Sequence, residues 1–246
     1  MELSNKRVLI TGGGSGIGLA IVEQLLENGA DVTACGRDKA KLEEAQSSHP
    51  KLQIEVCDVT DDSQIAQLAK KIASEGGVDI LINNAGVLEN IDYTTGTQSM
   101  NLQEREINID FVGPIRMTHH FMPMLKSKSE SAIVNVSSGL AFVALASAPV
   151  YSATKAALHS WTQSLRYQLS GSPVKVFELM PPLVDTEMVS QFEGQKMMPP
   201  NRLAKVFVKG FKSNKYEMTP GQASLVKMMS RFAPKFAFKI LNKQMS

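Results

Sequence analysis

A tyrosine and a lysine stand four residues apart, at Tyr151 and Lys155 in the run Y-S-A-T-K. On a helix this spacing places both side chains on one face. A free phenol has a pKa of about 10, too high for efficient proton transfer at neutral pH, and an adjacent ammonium group moves that pKa down. Ser138 follows an apolar run and offers a hydroxyl to a carbonyl oxygen. The three residues suit proton transfer to such an oxygen, although Y-x-x-x-K alone is more often an exposed helical pair.

The elements that must position these residues alternate along residues 1–180. Apolar runs predict six strands: Val8–Thr11, Asp31–Cys35, Leu52–Cys57, Ile80–Asn83, Ala132–Ser137 and Val174–Leu179. Helical patterns lie between them, at about 17–28, 38–47, 61–75, 101–126 and 151–170. Because most strands are apolar almost throughout, they predict a parallel sheet covered on both faces. The predicted fold class is α/β, a doubly wound parallel sheet in a single domain over residues 1–246.

A glycine-rich turn follows the first predicted strand. Its candidate cofactor-binding residues are Thr11, Gly12, Gly14, Ser15, Gly16, Ile17 and Gly18. Glycine permits a sharp turn and a close approach of the backbone to a pyrophosphate, and the start of the next helix presents free N–H groups and a positive dipole end. A glycine-rich turn by itself also occurs with no ligand.

Four motifs occur in order along the chain. The turn T-G-x-x-x-G-x-G is followed by N-N-A-G at 83–86, by Ser138 after the fifth strand, and by Y-x-x-x-K in the next helix. In this order and spacing the chain resembles the short-chain dehydrogenase/reductase family. The resemblance implies a seven-stranded Rossmann sheet with cofactor and catalytic residues on one domain, and Ser138, Tyr151 and Lys155 as catalytic residues.

The resemblance also implies contacts with a nicotinamide cofactor. Tyr151 and Lys155 are implied to contact it, Lys155 at the nicotinamide ribose. The other implied contacts are Asp58 and Val59 at the adenine, Asn84, Ala85 and Gly86 at the adenosine ribose, and Pro181, Val184 and Thr186 near the nicotinamide amide. Two alternatives stay open: Asp58 as a helix cap, and 84–86 as a strand-end turn. Pro182 stands where the family has a glycine.

A second departure concerns the proton relay behind the lysine. Relatives carry an asparagine three residues before a glycine, and here Gly113 assigns that position to Asp110 rather than Asn108. An aspartate accepts hydrogen bonds from water but cannot donate as an amide does. We include Asp110 among the catalytic candidates and leave the relay open.

The choice of cofactor depends on the end of the second strand. An acidic residue there would bind the ribose 2′-hydroxyl of NAD and repel the 2′-phosphate of NADP. The sequence A-C-G-R has no acid at that position and places Arg37 beside it, and a guanidinium binds phosphate well. Ser15 occupies the place where many NADP-using relatives have a second basic residue, and Arg37 is also plausible as a solvated side chain. The sequence favours NADP(H) over NAD(H), and we expect no metal.

Composition and charge give further expectations. Hydrophobic residues make up 43% and charged residues 20% of the chain, which is typical of a globular domain. Cys35 and Cys57 each lie at the end of a strand-like run and are expected in the core as thiols, which favours a cytoplasmic protein. The sequence has neither a signal peptide nor an apolar run of membrane-spanning length. A segment at about 187–212 is expected to act as a substrate lid, or alternatively to be an irregular surface excursion.

The C-terminal tail, about 221–246, departs most from the family. Residues 201–246 carry ten Lys or Arg and one acid, a net +9, which leaves −7 for residues 1–200. We expect two helices divided at Pro234, with the apolar side packed on the domain and the lysines solvated. Peripheral membrane contact and a partner or dimer surface are alternatives. Tyr216–Met218 forms at most a short seventh strand, so tetramers are less expected than a homodimer.

The leading functional hypothesis is an oxidoreductase that transfers a hydride between NADP(H) or NAD(H) and a small, partly apolar carbonyl or alcohol. The apolar residues Leu140–Leu145 after Ser138 suggest such a substrate, although they are equally suited to packing beneath the lid. Alternatives are a non-catalytic dinucleotide-binding redox sensor and a peripheral membrane interaction protein on the same fold. Nucleic-acid binding is disfavoured because the basic region contains no recognisable reading module.

Overall fold

The structure is a computed structural model and describes residues 1–95, 99–192 and 194–245. Within these ranges seven strands form one sheet: β1 Arg7–Thr11, β2 Asp31–Gly36, β3 Gln53–Val56, β4 Ile80–Asn83, β5 Ser131–Val136, β6 Val174–Leu179 and β7 Glu217–Met218. Their order is β3-β2-β1-β4-β5-β6-β7, and all neighbours run parallel. The predicted doubly wound sheet is confirmed, and the six predicted strands agree with the observed ones to within one residue at each end.

Helices cover both faces of this sheet. They are α1 Gly16–Glu27, α2 Lys39–Ser48, α3 Asp62–Ser74, α4 Met100–Ile107, α5 Gly113–Lys126, α6 Pro149–Gln168, α7 Pro200–Lys212, α8 Gln222–Phe232 and α9 Pro234–Met245. Successive strand residues point to opposite faces, so Ile10 lies in the core beneath α1 and α7, and Leu9 in the core beneath α3 and α5. Cys35 and Cys57 are free, buried thiols in the core beneath α3 and α5, as expected.

The helix predicted at 101–126 is interrupted. A π-helical turn at Asn108–Val112 joins α4 to α5. Pro114, at the start of α5, has no N–H to donate back to the carbonyl of Asp110, so the regular α-helical bond cannot form there. Such turns are common at functional sites. This one carries Asp110 inward, where its side chain is fully buried.

The segment expected as a lid divides into two different structures. Residues 200–212 are helix α7, which packs on α1 and buries Leu203, Phe207 and Phe211 completely. This part belongs to the core and does not cover a cleft. A parallel bridge between Val184 and Met198 closes the base of the remaining loop. The proposed lid is therefore restricted to the loop between Val184 and Met198, which we call the lid loop.

The tail forms two helices, α8 and α9, and Pro234 begins the second, as predicted. The two-residue strand β7 before them pairs with β6 through Glu217 and Met218. The expectation that the tail packs its apolar side on the domain holds only in part. Ala223 and Ala237 are buried, and Val226 and Leu241 are half-buried. The larger residues Leu225, Met228, Phe232, Phe236 and Phe238 are exposed. Among helices in the described ranges, none combines the length and apolar character needed to cross a bilayer.

Candidate active site

A cleft of about 920 Å³ opens beyond the carboxyl ends of the strands. This is where open α/β sheets bind ligands. Sixteen predicted site residues form its wall: Gly12, Gly14, Ser15, Gly16, Ile17, Gly18, Arg37, Asp58, Val59, Asn84, Ala85, Gly86, Ser138, Pro181, Val184 and Thr186. Tyr151 and Lys155 line it as well, so the glycine turn and the proposed catalytic residues share one cavity. Thr11 and Asp110 are buried behind this wall.

The glycine turn is shaped by close backbone contacts. Gly12 has a φ of 66°, a conformation that favours glycine. A Cβ on Gly18 would lie 2.1 Å from the carbonyl oxygen of Gly12, which no side chain tolerates. Thr11 stabilises the turn from below, since its Oγ1 accepts the N–H groups of Asn84 and Ala85 at 3.0 Å each. Its role is thus to position the turn rather than to line the cleft.

Asp58 is not the helix cap that the sequence left open as an alternative. Its Oδ1 accepts the N–H and the hydroxyl of Thr60, both at 2.8 Å, and so holds the turn after β3. The helix cap itself is Asp61, whose side chain accepts the N–H groups of Ser63 and Gln64. Asp58 also reaches the wall of the cleft. The residue therefore fixes its own loop while it presents a carboxylate to the cavity.

The proposed catalytic residues meet at the start of α6 and the end of β5. Lys155 Nζ lies 5.3 Å from the centre of the Tyr151 ring and donates to the carbonyl of Val136 at 3.3 Å. Burial raises the pKa of Tyr151, and the Lys155 charge and a hydrogen bond from Ser138 only partly offset this. The expected net lowering of that pKa is wrong, because the phenol is buried and Lys155 is already paired with a carboxylate. A phenol with a raised pKa holds its proton more tightly than a free tyrosine does.

That carboxylate is Asp110. Its Oδ2 lies 3.1 Å from Lys155 Nζ, and both side chains are almost fully buried. Oδ1 accepts the N–H of Val87 at 2.9 Å. Burial lowers the pKa of Lys155, but the Asp110 charge, the hydrogen bond to Asp110 and the charges of Tyr151 and Glu106 together outweigh it, so the net direction is upward. Asn108 bonds instead to the carbonyl of Glu104, so the structure brings Asp110 rather than Asn108 to the lysine.

Glu106 is a buried carboxyl group that sequence reasoning missed. It lies one turn before Asp110, has no exposed surface, and accepts the N–H of Glu89 at 3.0 Å through Oε1. Its Oε2 is buried with no hydrogen-bond partner among the described residues. Burial, reinforced by the Asp110 charge, raises the pKa of Glu106 to about 7. The four-residue spacing to Asp110 was the available signal, but the sequence did not show that both face inward.

The end of the cleft near β2 carries a second cation. Arg37 is exposed at the wall, and Lys41 on α2 also lines the cavity. Lys41 Nζ contacts Glu187 Oε2 of the lid loop at 2.6 Å. The neighbouring acid, Asp38, accepts the N–H of Lys41 as the cap of α2. Sequence reasoning considered only Ser15 for the second basic position, whereas Lys41 is four residues beyond Arg37 in the first turn of a helix.

Apolar residues enclose the opposite end of the cleft. Leu145 packs in one cluster with Val189 and Phe192 of the lid loop, and Tyr151 lies at its edge. Leu140–Leu145 therefore packs beneath the loop and also contributes Leu140 and Leu145 to the cavity wall. The tail adds residues that the sequence did not assign to the site, namely Gln222, Ala223, Val226 and Leu241. Asn242 fixes α9 there, since it accepts the N–H of Ala146 at 2.6 Å.

Comparison with known proteins agrees with this architecture. The chain matches the model of the short chain dehydrogenase family over residues 6–196. It belongs to that family. An uncharacterised oxidoreductase of Bacillus subtilis (strain 168), DltE, is 40% identical over 225 residues, which cover 89% of each chain.

Two solved structures of this family are similar over nearly the whole chain. A short chain dehydrogenase from Burkholderia cenocepacia J2315, in complex with NADP, has 27% identity and a TM-score of 0.86, covering 98% of this chain and 99% of that one. A short chain dehydrogenase/reductase from Burkholderia phymatum, in complex with NAD, has 20% identity and a TM-score of 0.83, covering 96% of both chains. The second likeness shows the shared fold.

The residues present fit the dinucleotide that such family members bind. Gly14, Ser15, Gly16 and Ile17 place the start of α1 against the cleft, and the Ser15 side chain makes no capping bond in the described structure. Free N–H groups at a helix start suit a pyrophosphate. A Cβ on Gly86 would lie 3.2 Å from Asp110 Oδ2 and 3.5 Å from Lys155 Nζ, so glycine keeps the space before the lysine clear. Within the described ranges, no cluster of His, Cys, Asp and Glu side chains is arranged to hold a metal.

Proposed function

We propose that this protein is an NADP(H)-dependent reductase of a small, partly apolar ketone or aldehyde. The observation that carries the proposal is the half-buried Tyr151 beside Ser138 and Lys155, in the cavity that also contains the glycine turn. A non-catalytic redox sensor does not need this group of residues, and we do not favour it. The direction of reduction is part of the proposal, since a phenol whose pKa is raised would carry its proton at the start of the reaction.

Ser138, Tyr151 and Lys155 have different roles in proton transfer to the substrate oxygen. Ser138 donates a hydrogen bond that holds the carbonyl oxygen next to the phenol. Tyr151 transfers its proton to that oxygen as negative charge develops there. Bound NADPH supplies the hydride that the carbonyl carbon receives. Lys155 then stabilises the phenolate, and its ammonium group stays charged because Asp110 lies 3.1 Å away.

Two buried carboxyl groups, on the side of Lys155 away from the cleft, stabilise its charged form. Asp110 fixes the ammonium group directly, and Glu106 acts on it through Asp110. With a pKa of about 7, Glu106 is partly protonated at neutral pH, which limits the negative charge beside the lysine. Asp110 and Glu106 are positioning residues in this proposal. They take the place of the asparagine relay that the family resemblance implied.

The preference for NADP(H) rests on Arg37 and Lys41. Both line the end of the cleft beyond β2, where the adenosine ribose of a dinucleotide would lie. Asp38 is engaged as the cap of α2, so its carboxylate does not oppose a phosphate freely. Arg37 favours the 2′-phosphate over a free hydroxyl, and Lys41 adds to this effect when it exchanges its partner Glu187 for the phosphate.

A panel of ketones and aldehydes, assayed with NADPH and with NADH, tests the proposal. We expect loss of cofactor absorbance with at least one apolar carbonyl compound and a lower KM for NADPH than for NADH. Binding of either cofactor with no oxidation by any member of a broad panel would support a sensor instead. A homodimer and a cytoplasmic location stay predictions of the sequence, to be tested by sedimentation and fractionation.

A further inference from the structure

The two tail helices turn an apolar face away from the domain. On α8, Ala223 is buried, while Lys227 and Ser230 lie on the same side of the helix. Lys227 attaches this side to the domain through Glu217 at 2.6 Å and the ring of Phe142. The opposite side carries large apolar residues at helical spacing, and their exposed fractions are 51% for Leu225, 54% for Met228 and 81% for Phe232.

The second tail helix, which packs against the first, also exposes large apolar residues. Phe236 is 59% exposed and Phe238 47% exposed, whereas Ala237 between them is buried. Several large apolar side chains exposed on two adjoining helices favour an interaction site over ordinary scatter. We call this surface the tail face, defined by Leu225, Met228, Phe232, Phe236 and Phe238.

The charged side chains of the tail itself, beyond β7, all have one sign. Arg231, Lys235, Lys239 and Lys243 are exposed on the two helices. From residue 218 to the end of the sequence there is no Asp or Glu. A second copy meeting the tail face with its own tail face would therefore bring like charges together, which disfavours a symmetric dimer through it. Exposed phenylalanines among cations instead match the headgroup region of an anionic bilayer.

We propose that the tail face docks this protein on an anionic lipid surface. Phe232 and Phe236 enter the boundary between headgroups and acyl chains, and the surrounding lysines and arginine contact lipid phosphates. Because Val226 of α8 and Leu241 of α9 line the cleft from the inner side of the same helices, docking places the proposed active site close to the bilayer. The inference goes beyond the proposed reaction and does not depend on it.

Co-sedimentation of the full chain with vesicles tests this. Vesicles of phosphatidylcholine alone are compared with an equal mixture of phosphatidylcholine and phosphatidylglycerol. We expect binding to the mixed vesicles that weakens with added salt, and a loss of about tenfold or more in both F232S/F236S and R231E/K235E. Matched controls on other elements are Val56→Ser, an exposed apolar residue of β3, and Lys70→Glu, an exposed lysine of α3, which should bind like the wild type.

Other occupants of the tail face give different results. Equal sedimentation with both kinds of vesicle, or none with either, overturns the proposal. The proposal is also overturned if the wild type is a dimer, F232S/F236S is a monomer, and both proteins bind vesicles equally. Binding to duplex DNA that is lost in R231E/K235E but kept in F232S/F236S would assign the surface to nucleic acid. Turnover of a water-soluble carbonyl compound should be unchanged in both variants, so failure of this proposal is distinct from failure of the proposed reaction.

Discussion

Lys155 forms a buried ion pair with Asp110, with 3.1 Å between Nζ and Oδ2. The pair explains why Tyr151 is not acidified as the sequence suggested. The lysine charge that would lower the pKa of the phenol is shared with a carboxylate, and burial of the phenol has the larger effect. The geometry therefore favours a tyrosine that begins the reaction with its proton.

Replacing the carboxylate changes the titration of the lysine. Asp110→Asn removes the negative charge that raises the pKa of Lys155, so burial should lower that pKa. We expect the alkaline limb of the kcat/KM profile to move to lower pH by about one pH unit or more. Asn108→Asp, on the exposed side of the same turn, is the matched control and should leave the profile unchanged. An identical profile in Asp110→Asn would show that the pair does not tune the site.

Glu106 should make stability depend on pH. Its pKa rises from 4.5 to about 7 on folding, so the folded state holds its proton more tightly and stability falls as pH rises between these values. Compared with Glu106→Gln, the wild type should lose up to roughly 3 kcal/mol of unfolding free energy over this range. Urea denaturation of both proteins at pH 4.5, 6 and 8 measures the difference. A constant difference across pH would contradict the assignment.

Arg37→Ser should weaken NADPH selectively. Loss of the guanidinium removes a phosphate contact but leaves the rest of the cleft intact, so we expect KM for NADPH to rise roughly tenfold and KM for NADH to change little. Lys41→Gln should act in the same direction. Arg202→Ser, an exposed arginine on α7, is the control. Equal effects on both cofactors would argue against a 2′-phosphate site at this end.

Gly18→Ala tests the packing beneath the turn. Its Cβ would meet the Gly12 carbonyl at 2.1 Å, so the turn must distort, at a cost of about 3 kcal/mol or more and with loss of cofactor binding. Gly36→Ala, also on the cleft wall, is the matched control for stability, because a Cβ there has no neighbour within 4 Å. Thermal unfolding and cofactor titration of the two variants compare them. Equal melting temperatures would contradict the close contact.

The sequence predicted the parts of this molecule that depend on local patterns. Apolar runs predicted six strands to within one residue, and the glycine turn, Ser138 and the Y-x-x-x-K pair all reached the same cleft. Side-chain contacts between elements that are distant along the chain could not be predicted from the sequence. Lys41 meets the cleft because α2 starts beside β2. Glu106 faces inward where α4 packs on α6 and where its Oε1 accepts the N–H of Glu89.

In the tail, too, the sequence predicted the helices but not the contacts that they make. Its alternating lysines and phenylalanines predicted two amphipathic helices correctly, but the direction of their apolar faces depends on the domain beneath them. Small residues such as Ala223 and Ala237 face inward, and the phenylalanines remain exposed. The lid range was too long for a similar reason, since Phe207 and Phe211 of α7 find partners on α1 and β6.

The central claim is that Tyr151 gives its proton to the substrate oxygen. The direct measurement is steady-state NADPH oxidation by Tyr151→Phe with a carbonyl compound that the wild type reduces, together with fluorescence titration of NADPH. We predict that kcat falls by about 10²–10⁴-fold while the Kd for NADPH stays within a few-fold of the wild type. Unchanged turnover in a folded, cofactor-binding Tyr151→Phe protein would contradict the account.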